Sequence, residues 1–215
     1  MSFDGRHGVG PVATILGIVG LGSFVSLMVF FLAGGPFGAI NDVGNGALGL
    51  LSGVLAVRLW RRGGAAGSGI GVLASSVAIL GSAITVMGSA LILSDSTGFF
   101  LAGLVSSVGF AMIGIWLIAL NRWIASDAAE QWPGRLAKVG ILAGAVMMVG
   151  FINAPGIAMG LDDMDAAPGW ILVGGLSWLG TYILYPIWSI RFGRALSRPV
   201  DRRRPTVAED GRHAR

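Results

Sequence analysis

The chain has 215 residues, of which 54% are hydrophobic and 12% charged, about half the charged share of an ordinary soluble domain. Such a composition leaves too little polar surface for a water-soluble fold, so lipid is the expected solvent. The absence of cysteine excludes disulfides, thiolate metal sites and cysteine nucleophiles and leaves the redox compartment unread.

Six apolar runs follow one another at about 11–33, 39–60, 70–93, 99–120, 137–159 and 170–191. Each approaches the roughly 20 residues that carry a helix across about 30 Å of hydrocarbon. None alternates as a membrane strand must. The expected fold is an all-α polytopic transmembrane bundle of six spans within residues 1–191, followed by a disordered basic tail at 192–215.

The first run follows Arg6 and His7, as a signal peptide would, but it is longer than a signal h-region and lacks a small-x-small cleavage site. It is read as an uncleaved span. The second run opens with Asn41-Asp42-Val43-Gly44-Asn45, where Asp42 is the one acid inside an apolar run. On a helix Asn41 and Asn45 share a face, and Asp42 meets Asn45 at i and i+3. A carboxylate facing a bundle interior points to ion, proton or substrate handling. The reading favoured by spacing is plainer: Asn41 or Asp42 caps the helix at the membrane surface, and 43–60 crosses.

The third and fourth runs carry Thr85, Ser89, Ser106 and Ser107 at the depth of Asn45, and the fifth adds Asn153 and Pro155. An outward polar pocket could be built from these. Serine and threonine in membrane helices more commonly pack or bond their own backbone, and that reading is preferred. In the sixth run Pro186 predicts a kink. The two tyrosines, Tyr182 and Tyr185, and Trp188 lie beside it. They could line a gate or a headgroup site, but an interfacial aromatic belt accounts for Tyr185 and Trp188.

Charge decides the orientation. All 15 Lys and Arg residues, from Arg6 through Arg58, Arg61, Arg62, Arg122, Arg135 and Lys138 to the eight between Arg191 and Arg215, fall on one side of a six-span arrangement. The opposite loops hold Asp95, Asp162, Asp163 and Asp165. Basic loops stay cytoplasmic, so both termini are expected there. The tail is read first as a topology anchor and second as a contact for anionic lipid headgroups. Each hairpin ends in an Arg beside an aromatic, a faint repeat that interfacial preference also explains.

The 36 glycines are expected at close helix crossings, with small-xxx-small spacing at Gly49–Gly53, Gly140–Gly144 and Gly156–Gly160. Spacing leaves open whether those crossings lie within one chain or between copies. The two histidines, His7 and His213, are terminal, which removes intramembrane zinc proteolysis and Ser-His chemistry. No Walker-type phosphate loop occurs. Asn41-Asp42 with Asn45 echoes the acidic motif of membrane prenyltransferases but lacks its magnesium-binding acids. Asp162, Asp163 and Asp165 could hold a divalent cation, although loop acids are usually only solvated.

Tyr185-Pro186-Ile187-Trp188, followed by Arg191 and Gly193-Arg194, resembles the last span of uncharacterised small six-span bacterial integral membrane proteins. The resemblance covers about a dozen residues and implies no activity. The expectations are thus a non-enzymatic structural, accessory or regulatory membrane component, or a small transporter or channel with Asp42, Asn41, Asn45 and Asn153 as its polar or ion site. A third is a lipid-modifying enzyme built on the Asp162–Asp165 acids. No catalytic residue, cofactor, resident metal or nucleic-acid partner is expected. A homo-oligomer or a membrane-protein partner is compatible with the glycine content. The Arg-rich, Lys-poor composition points to a bacterial inner membrane.

Overall fold

The structure, a computed structural model, describes residues 8–61, 69–127 and 134–197. Six long helices run up and down: α1 (Val9–Ala33), α2 (Phe37–Trp60), α3 (Gly69–Leu93), α4 (Phe99–Asp127), α5 (Gly134–Ala158) and α6 (Gly169–Ser197). Each is long and apolar enough to cross a membrane. Consecutive helices pack side by side and α6 returns against α1, closing a ring.

Two of the runs end differently from expectation. α4 continues past 120 to Asp127, and α6 continues past 191 to Ser197 with Phe192 buried. The basic tail expected to be disordered from 192 therefore begins as helix, because Phe192 has an aromatic partner in Trp188, 4.7 Å away and stacked. Residues 198–215 lie outside those described.

Burial is inverted relative to a soluble protein. Large apolar side chains such as Ile18, Leu32, Leu50, Ile70 and Leu73 point outward, Leu32 being 88% exposed. Serine, threonine and asparagine, including Ser52, Thr85, Asn121 and Ser189, are buried. That surface suits hydrocarbon and that interior suits packing through small residues. α4 is the most enclosed helix, placing Phe110, Ile113, Trp116 and Leu117 in the core.

Reciprocal glycine contacts hold neighbours together. A Cβ on Gly81 would fall 2.5 Å from the Gly109 carbonyl oxygen, and one on Gly109 would fall 2.6 Å from that of Gly81. Gly114 with Gly144 joins α4 to α5 in the same way, and Gly10 with Gly193 joins α1 to α6. Of the spaced pairs expected at crossings, Gly49 and Gly53 face Thr85 and Ser82 of α3, while Gly140 and Gly144 face α4. Those crossings are within the chain. Gly156–Gly160 is not a crossing: Gly160 has φ +63 and open space around it, a helix end that a residue without Cβ adopts readily.

Proline reshapes two helices. Pro155 cannot donate to the Phe151 carbonyl four residues back. That oxygen instead accepts the Ala154 N–H, and α5 tightens into a 3-10 turn over Val149–Asn153. Pro186 leaves a similar gap, and α6 widens into a π-turn over Gly180–Leu184, with the Tyr185 N–H donating to the Gly180 carbonyl.

The connections 34–36, 94–98 and 159–168 share one end of the bundle with Asp95, Asp162, Asp163 and Asp165. The described basic residues, Arg58, Arg61, Arg122, Arg135, Lys138, Arg191 and Arg194, lie at the other end, as do both ends of the described chain. There the Arg58 guanidinium donates to the Gly8 carbonyl, tying the start of α1 to the end of α2.

Candidate functional site

α2 begins at Phe37, not at 43, because Pro36 supplies the first turn and Gly34 and Gly35, at φ 65 and 68, turn the chain tightly out of α1. Asp42 therefore lies about 8 Å along the helix at 1.5 Å per residue. It is 8% exposed, and Asn41 and Asn45 are buried beside it. The cap reading of Asn41 and Asp42 is overturned: the capping position is Pro36, without a side-chain hydrogen bond.

These three side chains open on a small cavity of about 30 Å3, enclosed by α1, α2, α3, α4 and α6. Small residues create it. Gly46 and Gly49 let α2 approach Ser89 and Thr85, and Gly88 lets α3 approach Ser106. Ser89, Ser106 and Ser107 line the cavity opposite α2, and Thr181 and Tyr182 of α6 close it. The Tyr182 hydroxyl donates to Asn45 Oδ1 at 2.8 Å and also faces Asn41 and the Asp42 carboxylate.

The polar residues expected at this depth divide into two groups. Asn45, Ser89, Ser106 and Ser107 reach the cavity. Asn153 stands behind it, donating from Nδ2 to Ser107 Oγ at 2.7 Å and packing flush against Gly174. Thr85 instead bonds its own backbone at the Gly81 carbonyl, 3.0 Å away. The preference for packing or backbone bonding thus holds for Thr85, for Ser107, whose Oγ donates to the Leu104 carbonyl at 2.7 Å, and for Ser106, which packs against Gly88; Ser89, with its Oγ unpartnered, departs from it.

Hydrogen bonding inside the site is incomplete. Asn41 Oδ1 and Ser89 Oγ are buried without a partner, as is Asn153 Oδ1 behind them. Every described Lys and Arg lies at the far end of the bundle, so no described basic side chain neutralises Asp42. A carboxylate shut away from water without a countercharge is expensive to keep. The arrangement can accept hydrogen bonds and positive charge.

Farther along α6 the same residue types are paired. Tyr185 and Trp188 are fully buried, which corrects their assignment to an interfacial belt. The Tyr185 hydroxyl and Ser52 Oγ are 3.0 Å apart, and Trp188 Nε1 donates to Asn121 Oδ1 at 2.9 Å. Asn121 lies just beyond the apolar run at 99–120 and beside Arg122, where the sequence carries no signal of its burial.

Asp162 has a structural partner. One carboxylate oxygen accepts the Gly98 N–H and the other the Leu101 N–H at 3.1 Å, satisfying free donors at the start of α4. Asp163 accepts the Asp165 N–H. Among the described residues no group of three His, Cys, Asp or Glu side chains is placed to hold a metal ion.

Among the described residues, fold and site thus define an all-helical bundle with six membrane-length apolar helices and an acidic polar cavity between them. No known family, curated protein or solved structure matches it.

Proposed function

We propose that the chain is a multi-pass protein of a bacterial inner membrane, with both termini cytoplasmic, that binds and passes a proton or small cationic solute at Asp42. The observation that carries this reading is Asp42 itself, buried six residues into α2, facing a polar cavity and distant from every described basic residue. Intramembrane carboxylates of this kind mark ion and substrate pathways. Asn45 and Asn41 supply amide oxygens, Tyr182 fixes Asn45, and Asn153 braces Ser107.

Liposomes holding the purified protein test it, with proton and monovalent-cation uptake followed under an imposed gradient. Asp42→Asn should lower the flux at least tenfold while the protein remains folded. Equal fluxes from Asp42→Asn and the unmodified protein across that panel sink the reading.

Orientation has a separate test. Cysteines at Ser96 and Ala166 should react with an impermeant maleimide in intact cells, and cysteines at Gly64, Ser126 and Ala208 only after permeabilisation. Labelling of the Gly64 position from outside overturns the inside placement of the termini. Gly64 and Ala208 lie outside the described residues.

A second reading, an accessory membrane component, keeps one observation in its favour: the described connections at the acidic end are short and form no separate domain. Purification from native membranes with a stoichiometric partner protein, combined with absence of flux, would favour it.

A further inference from the structure

The wall of the Asp42 cavity is shared with a second one. Between α1 and α6 an apolar crevice of about 380 Å3 opens on the outside of the bundle, within the size range of small-molecule sites. Met28, Leu176 and Leu179 line it and are 38, 54 and 52% exposed. Leu27, Trp178 and Tyr182 line both the crevice and the polar cavity.

The two spaces have complementary chemistry. None of the residues lining the crevice carries a charged or amide side chain. The cavity behind it gathers acceptors: the Asp42 carboxylate, the unpartnered Asn41 Oδ1 and the unpartnered Ser89 Oγ, with Asn41 and Ser89 only 1 and 5% exposed. A hydrocarbon chain fits the first space, and a cation with several N–H donors fits the second. Size narrows the choice, since 30 Å3 admits roughly one or two water-sized groups. A primary ammonium is that small; a trimethylammonium or phosphate group is larger.

We infer that the site takes a membrane-dissolved amphiphile with a primary ammonium head, its chain in the α1–α6 crevice and its head on Asp42, Asn41 and Ser89. The half-buried Trp178, which lines both spaces, is the side chain that must turn for the head to pass between them. The inference rests on the proposed role of Asp42 as a binding carboxylate and adds the class of ligand and its route of entry from lipid.

Equilibrium binding of radiolabelled dodecylamine to the full chain in phosphatidylcholine nanodiscs tests it. A saturable component should appear above bilayer partitioning. Unlabelled dodecylamine should displace it at least tenfold better than dodecanol or dodecyltrimethylammonium. Asp42→Asn should abolish it. Leu176→Trp, which narrows the crevice from an exposed position, should weaken it at least threefold. Partitioning alone, displacement by dodecanol as good as by the amine, or unchanged binding by both variants overturns the inference. Cation flux on the same preparations separates the two ideas. Asp42-dependent flux without saturable amine binding removes the amphiphile and leaves the carboxylate's role intact; if neither flux nor binding depends on Asp42, both fall.

Discussion

The two halves of α6 present similar side chains to the bundle interior and treat them oppositely. Toward the basic end, Tyr185, Trp188 and Phe192 stack in a column, and Ser52 and Asn121 meet the two polar groups in it. Ser189 Oγ is the unpartnered exception there. Toward the acidic end, Tyr182 bonds Asn45, but Asn41 Oδ1, Ser89 Oγ, Asn153 Oδ1 and Ser177 Oγ have no partner, and Asp42 has no described countercharge. Burial and residue type are alike in the two halves and do not separate them. Pairing differs between them, and a satisfied buried group fixes the helices whereas an unsatisfied one retains the capacity to bind.

The largest expected effect probes the packed half. Gly144→Val places a side chain against the Gly114 carbonyl oxygen, which a Cβ would already approach to 2.5 Å, and should destabilise the bundle by about 3 kcal/mol. The matching change in the open half is Gly103→Ala, where a Cβ meets nothing within 4 Å. It should leave the unfolding midpoint in mixed micelles unchanged or slightly higher, since alanine favours helix. Equal losses from both variants would erase the difference in packing.

Next in size, Trp188→Phe removes the donor to a fully buried Asn121 Oδ1 and should cost about 2 kcal/mol. Tyr182→Phe removes the corresponding donor to Asn45. Its loss should be less than half as large, because the neighbouring cavity of about 30 Å3 has room for one water to replace the lost donor. Denaturant titration of the two variants side by side checks the ratio, and a ratio near one contradicts it.

Asp42→Asn sharpens the contrast further. Stability should stay within about 1 kcal/mol of the unmodified protein or rise, since an uncompensated buried charge is replaced by a neutral group of its own shape, while the flux falls. A stability loss as large as that of Trp188→Phe would make Asp42 a packing residue instead. The smallest effect is reserved for Asp162→Ala, which frees the Gly98 and Leu101 N–H groups. It should lower stability by about 0.5–1 kcal/mol and leave the flux unchanged.

Much of the fold was legible in the residues because hydropathy is additive along a chain. Six uninterrupted apolar runs need no tertiary information to become six helices, and the segregation of Lys and Arg put their ends in order. Pro155 and Pro186 have no N–H to give, and a helix irregularity precedes each, a 3-10 turn and a π-turn where the sequence points to a kink at Pro186 alone. The candidate site was legible as a list, Asp42, Asn41, Asn45 and Asn153, but not as a site, and spacing alone favoured the wrong role for Asp42. Cap and buried carboxylate differ by where the helix begins, and Pro36 with the glycines before it decided that. Similarly, an aromatic near a helix end reads as a belt residue until its partner is known, and the partners of Tyr185 and Trp188 are 133 and 67 residues away in the chain.

By itself the sequence determined composition, the number of membrane-length apolar helices and the positions of the prolines beside the helix irregularities, all properties carried by single residues or short windows. Only the tertiary structure decided which polar groups are satisfied. It closed α6 against α1, set Ser89, Ser106 and Tyr182 around Asp42, and supplied Trp188 to Asn121 while supplying nothing to Asn41 Oδ1. The physical reason is that hydrogen bonds and charge compensation depend on the rotation of each helix about its axis. Close contacts between glycines on neighbouring helices fix that rotation, and no single apolar run encodes it.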